Sequence, residues 1–140
     1  MKQIPVIFWT GTGNTQMMAD AIAEAINAAG AEAVVKNVSE ITADEAAGYD
    51  ALALGCPAMG AEVLEECEFE PFFTDLEGKL AGKKVALFGS YGWGGSYMQD
   101  WEARVKDAGA TLVADGVLAL GAPDDEAVAK LAEAGKLLAE

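Results

Sequence analysis

Short unbroken apolar runs alternate along the chain with stretches where apolar residues return every three or four positions. The first run is Ile4, Pro5, Val6, Ile7, Phe8 and Trp9. It predicts a buried strand, with Pro5 tolerated because it stands at the start. After it, Met18, Ala21, Ile22, Ala25, Ile26 and Ala29 recur at helical spacing, and Gly30 stops the helix. Ala33–Asn37 predicts a second strand, Asp50–Gly55 a third and Lys83–Gly89 a fourth. A long loop separates the third strand from about Pro71. A helix from about Met98 to Ala108 ends at Gly109. A fifth strand covers about Thr111–Leu120, interrupted at Asp115-Gly116. Asp124–Ala139 closes the chain as a helix with Val128, Leu131 and Leu138 inward.

Strands apolar on both faces, alternating with amphipathic helices, imply a parallel sheet covered on both sides. Right-handed crossovers make this a three-layer, doubly wound α/β sandwich. Its 140 residues suit one domain, expected over 1–140. In such sheets ligands sit beyond the carboxyl ends of the strands. Three loops leave those ends with distinctive residues: 10–15, 56–62 and 89–95.

The first loop is Thr10-Gly11-Thr12-Gly13-Asn14-Thr15. Its glycines let backbone N–H groups approach an anion, its hydroxyls and Asn14 add donors, and a helix begins behind it. That builds a phosphate nest without a cation. It lacks the Gly-Lys-Ser/Thr of a nucleotide P-loop. A plain capped helix start is the simpler alternative. The second loop, Cys56-Pro57-Ala58-Met59-Gly60-Ala61-Glu62, sets a polarizable methionine beside a glycine and a carboxylate. Met59 tucked into the core is the alternative there. The third, Gly89-Ser90-Tyr91-Gly92-Trp93-Gly94, offers Trp93 for stacking on a flat ligand, or as packing over the sheet edge. Together the loops ask for one phosphate and one flat heteroaromatic ring. Flavin mononucleotide (FMN) fits; an adenine nucleotide fits less well, since nothing would hold a second phosphate or a magnesium ion.

Composition narrows the chemistry further. The chain has no histidine, which excludes His-based triads, His metal sites and a histidine general base. Its net charge of −14 repels nucleic-acid phosphate and anionic lipid, and attracts basic protein faces. Cys56 and Cys67 have neither metal-ligand nor disulfide-framework spacing, so no metal is expected. No signal-peptide or membrane-spanning run is present, so a cytoplasmic protein is expected.

The three loops, in this order, resemble those of the flavodoxin family, in its short-chain, clostridial-type group. Glu68-Phe69-Glu70-Pro71-Phe72 and Gly82-Lys83-Lys84-Val85-Ala86-Leu87-Phe88 add to the resemblance, which spans the chain. It implies the flavodoxin-like five-stranded sheet in order 2-1-3-4-5. It implies that Thr10, Gly11, Thr12, Gly13, Asn14, Thr15 and Ser90 hold the FMN phosphate. Met59 would cover one flavin face and Trp93 the other. The Gly60 carbonyl would turn toward flavin N5 on one-electron reduction, and Glu62 would accept a hydrogen bond from N3–H. Ala58, Ala61, Gly89 and the main chain of Tyr91, Gly92, Trp93 and Gly94 would line the ring. Ala61, Leu120 and Gly121 stand where some relatives have polar side chains.

The implied function is a low-potential, one-electron carrier, moving chiefly between semiquinone and hydroquinone. It has no catalytic residue and serves basic-surfaced redox proteins through transient contacts as a monomer. The rival is a two-electron NAD(P)H reductase on the same fold. Such an enzyme needs a dinucleotide-phosphate site, and Arg104 is the only arginine.

Overall fold

The structure, a computed structural model, describes residues 2–9, 13–57, 68–91 and 97–140. The chain runs β1 (Gln3–Phe8), α1 (Asn14–Ala28), β2 (Glu32–Asn37), a 3-10 turn (Val38–Glu40), α2 (Ala43–Ala46), β3 (Ala51–Gly55) and α3 (Phe69–Glu77). It continues through β4 (Lys84–Tyr91), α4 (Tyr97–Asp107), β5 (Thr111–Leu112), β6 (Val117–Leu120) and α5 (Asp125–Ala139). The sheet is parallel, in order β2-β1-β3-β4-β5, with β6 also on β4.

β5 and β6 together fill the fifth strand position. Lys84 and Val85 face Thr111 and Leu112, and Phe88 to Tyr91 face Val117 to Leu120. Between them, residues 113–116 bulge opposite Ala86 and Leu87, the interruption expected at Asp115-Gly116. Gly116 N–H is taken up by the Glu102 carboxylate at 2.7 Å. Pro5 is the third residue of β1, but β3 begins to pair only at Val6, so the missing N–H falls before the inner ladder starts.

The two-residue strand period sends alternate side chains to two cores. Ile4, Val6, Phe8, Ala51, Ala53, Ala86 and Ala119 pack with α1 and α5. Ile7, Leu52, Leu54, Val85 and Leu87 pack with α3 and α4. Ala51, Ala53, Ala86 and Ala119 leave room on the first face for its helices to lie close. Where α5 crosses α1, a Cβ on Gly135 would stand 2.9 Å from Ala25 Cβ and 2.9 Å from Ile22 O. The second face is aromatic. Trp101 stands edge-on to Phe69 and Phe73, with ring centroids 5.5 and 5.9 Å away.

Four details differ from what the sequence predicts. Val128 is 41% exposed. The buried stripe of α5 is Ala127, Leu131, Ala134, Gly135 and Leu138, and Val128, one step or about 100° from Ala127, stands at its outer margin. In α1 the buried alanines are Ala19 and Ala23, while Ala21 and Ala25 are half-buried and Ala29 is exposed. The third concerns α3, where a loop to about Pro71 was expected. Phe69, Phe72, Phe73 and Leu76 make a helical stripe. Pro71 falls in the first turn, whose N–H groups have no intrahelical acceptor to lose. The segment between β2 and β3, given no element, holds two capping boxes: Asn37 with Glu40 and Thr42 with Glu45.

Candidate cofactor site

β1 and β3 end level at Phe8 and Gly55, while β4 and β6 run three residues further, to Tyr91 and Leu120. Phe8, Gly55, Phe88 and Val117 stand in one row across β1, β3, β4 and β6. The ladder continues one step past it: Trp9 N donates to Gly55 O at 3.0 Å, and Cys56 N to Phe88 O at 3.1 Å. Further out, Gly121 N donates to Tyr91 O at 3.0 Å. The segments leading to 10–12, 58–67 and 92–96 therefore depart from adjacent points on one sheet edge. Of the expected site residues, Gly13, Asn14, Thr15, Gly89, Ser90 and Tyr91 are described. Thr10, Gly11, Thr12, Ala58, Met59, Gly60, Ala61, Glu62, Gly92, Trp93 and Gly94 lie outside the described residues, as does Cys67.

Gly13 caps α1 with φ +90°, a left-handed conformation that disfavours any side chain. Gly13 itself brings no side chain to the cap. The first turn, Asn14-Thr15-Gln16-Met17, contains no acid. The other described helices with an acidic first turn are α2 (Asp44, Glu45), α3 (Glu70), α4 (Asp100) and α5 (Asp125, Glu126). In a chain of net charge −14, α1 alone among the described helices has no acid in its first turn. First-turn N–H groups beside neutral Asn14 and Thr15, with no acid in the turn itself, form a donor set that fits a phosphate.

At the next strand end, Tyr97 donates its hydroxyl to the Cys56 carbonyl at 2.7 Å. The bond passes over Gly89, where a Cβ would overlap both the Tyr97 hydroxyl and the Cys56 carbonyl. Gly89 is thus glycine for a close approach between α4 and β3. Burial pushes the Tyr97 phenol far above its ordinary range, and the adjacent Cys56 thiol adds to the shift, so the hydroxyl keeps its proton as a donor. Gly55 is constrained similarly: a Cβ there would enter the Phe88 ring.

Ser90 was expected against the phosphate. Its side chain is 6% exposed, and its hydroxyl donates to Gly121 O at 2.7 Å. That single proton fastens β4 to the turn after β6. Tyr91, half-buried, ends β4.

Several contributors around this edge escape a reading of the sequence. Trp9 Nε1, just before residues 10–12, donates to Glu68 Oε1 at 3.4 Å, just after 58–67. Arg104 on α4 grips Glu70 and Glu77 on α3. Its Nη1 and Nη2 meet Glu70 at 2.7 and 2.9 Å, its Nε and Nη2 meet Glu77 at 3.1 Å each, and its guanidinium lies 4.7 Å over the Phe73 ring. These bonds hold the Glu70 carboxyl below its usual range and raise Arg104. The chain's one arginine is therefore committed to two carboxylates and is not held ready for a dinucleotide phosphate. Tyr97, Trp101 and the Arg104 clamp carry no local motif, because each acts across tens of residues.

No helix among the described residues is long and apolar enough to cross a membrane, and no cluster of His, Cys, Asp and Glu among them suits a metal ion.

Comparison with known proteins agrees with this geometry. The flavodoxin family model matches residues 6–135. The chain is 48% identical to a flavodoxin of Megasphaera elsdenii, with 82% of this chain and 85% of that one covered. It is 47% identical to a flavodoxin of Clostridium beijerinckii, covering 96% and 97%. The solution structure of two-electron reduced Megasphaera elsdenii flavodoxin superposes with a TM-score of 0.89 at 44% identity, covering 97% of this chain and 98% of that one. The chain belongs to the flavodoxin family, the FMN-binding electron carriers.

Proposed function

We propose that residues 1–140 form a single FMN-binding domain that carries electrons one at a time, at low potential, between protein partners. The observation that carries this reading is the α1 end: an acid-free, glycine-capped helix start at the sheet edge where the other two loop segments also depart. FMN, when bound, supplies the one-electron chemistry, and the chain tunes it.

Thr10, Gly11, Thr12, Gly13, Asn14 and Thr15 take the phosphate. Met59 and Trp93 take the two faces of the ring. Gly60 supplies a carbonyl whose peptide can turn without a side-chain penalty. Glu62 accepts a hydrogen bond from an N–H at the ring edge, and Ala58, Ala61, Gly89, Tyr91, Gly92 and Gly94 complete the lining. Ser90 braces the β4 end through Gly121.

The charge distribution supports the low potential. α3, α4 and α5 begin on the site's edge of the sheet with Glu70, Asp100, Asp125 and Glu126. Lys2, Lys83 and Lys84 precede or begin β1 and β4, at the opposite edge. A unit charge about 10 Å away costs an added negative charge roughly 0.4 kcal/mol in a water-like dielectric. Several carboxylates together reach about 1–2 kcal/mol, where roughly 1.4 kcal/mol corresponds to about 59 mV for one electron. The same field steers basic redox proteins into short-lived, small-area complexes with a monomeric carrier in the cytoplasm. The reductase alternative is not favoured, since Arg104 is engaged elsewhere.

Titrating the flavin-free chain with FMN and with riboflavin tests the phosphate cradle. FMN should bind at least about a hundredfold more tightly, as expected of two or more charge-assisted hydrogen bonds. Equal affinities would remove the cradle.

A further inference from the structure

Cys56 follows β3 directly, and both of its backbone polar groups are held. Its N–H donates to Phe88 O of β4 at 3.1 Å, and its C=O accepts the Tyr97 hydroxyl of α4 at 2.7 Å. Pro57 follows; its ring fixes φ, and it brings no N–H. Three independent constraints therefore set the direction in which the chain enters residues 58–62. The Tyr97 ring is itself confined. It is buried and stacks on Trp101 at 6.5 Å and 26°, and Trp101 is wedged edge-on against Phe69 and Phe73. Gly89 completes the arrangement, because any side chain there would displace the hydroxyl or the carbonyl.

We propose that Tyr97 is a positioning residue for the flavin: through the Cys56 carbonyl, its hydroxyl fixes the exit of the 58–62 loop, and with it FMN affinity and the one-electron potentials. The proposal rests on the reading that 58–62 edges the flavin ring. Tyr97→Phe keeps the packed ring and removes only the donor. The Cys56 carbonyl, left without that bond, turns to find another, and Pro57 carries the rotation into the loop.

The test uses the FMN-loaded full chain. Wild type, Tyr97→Phe, Gly60→Ala and Leu131→Ala are compared by FMN dissociation and by spectroelectrochemical midpoints of both one-electron couples, with circular dichroism confirming the fold. Leu131 lies in the opposite layer and controls for general loss of stability. Tyr97→Phe should weaken FMN about tenfold and change the ratio of the two one-electron steps, while Leu131→Ala changes neither. Unchanged affinity and midpoints in Tyr97→Phe overturn the proposal, as do equal shifts in Tyr97→Phe and Leu131→Ala. Gly60→Ala reads the underlying assignment separately: if it too leaves the flavin untouched, the placement of 58–62 at the ring is what fails. If Tyr97→Phe does not fold, Tyr97→Met takes its place, removing the same hydroxyl with a flexible side chain that adds no donor, under the same criteria.

Discussion

Arg104 spans two turns of α3, holding Glu70 through both terminal nitrogens at 2.7 and 2.9 Å and Glu77 through Nε at 3.1 Å. The clamp joins the helix after residues 58–67 to the helix after residues 92–96. Arg104→Ala would leave two carboxylates facing each other and strip the cation from the Phe73 ring. The pairs are about one-third exposed, which discounts their value. Urea unfolding of Arg104→Ala should show a loss of about 1–2 kcal/mol. Arg104→Lys should recover only part of it, because a single ammonium cannot reproduce the fork.

The same clamp gives an acid limb to stability. Hydrogen bonds from Arg104 are the main reason the Glu70 carboxyl is depressed below 4.5, with its own burial opposing them. A depressed carboxyl contributes stability that is present above its unfolded value and lost as pH falls through its folded one. Thermal midpoints should therefore drop as pH falls below about 4.5, and Glu70→Gln should flatten that limb while leaving the neutral-pH slope unchanged.

Gln16 lies exposed in the acid-free first turn of α1. Gln16→Glu should act with opposite signs on two properties. A carboxylate near a helix N-terminus stabilises the flavin-free chain by about 0.3–1 kcal/mol. It also repels the phosphate, so FMN should bind several-fold more weakly. A rise in both stability and FMN affinity would contradict the placement of the phosphate at this helix.

Gly135→Ala sets helix propensity against packing. Alanine in a helix interior gains about 1 kcal/mol over glycine. The new methyl would press on Ala25 Cβ and Ile22 O, each 2.9 Å away, and a backbone carbonyl cannot swing aside like a side chain. Overpacking of this kind costs about 1–3 kcal/mol, so the net change should be a destabilisation near 1 kcal/mol by chemical denaturation.

Salt dependence separates long-range charge from local desolvation. The Debye length falls from about 30 Å at about 0.01 M salt to about 3 Å at about 1 M. Over that range the midpoint of the second one-electron couple should rise by tens of millivolts, given about 59 mV per roughly 1.4 kcal/mol. A flat response would assign the low potential to the ring's immediate surroundings instead of the acidic edge.

The strands were legible because burial on both faces makes them unbroken apolar runs, as in Ala51–Gly55. The α1 start was legible because Gly13 stands just before the periodic run Met18, Ile22 and Ile26. The α3 helix was missed although Phe69, Phe72, Phe73 and Leu76 carry its stripe, because Pro71 reads as a breaker until its first-turn position is known. Val128 was misplaced because one step along a helix is about 100°, and local hydropathy does not fix the phase. The Tyr97–Cys56 bond had no sequence signal. It joins residues 41 apart, and only the packed structure shows why Gly89 permits it.

An anaerobic reductive titration of the FMN-loaded chain, followed by visible absorption, tests the central claim most directly. The account predicts that a blue, half-reduced flavin accumulates to a large fraction before full reduction begins. Direct passage from oxidised to fully reduced flavin, with no such species, would contradict a one-electron carrier and point to two-electron chemistry.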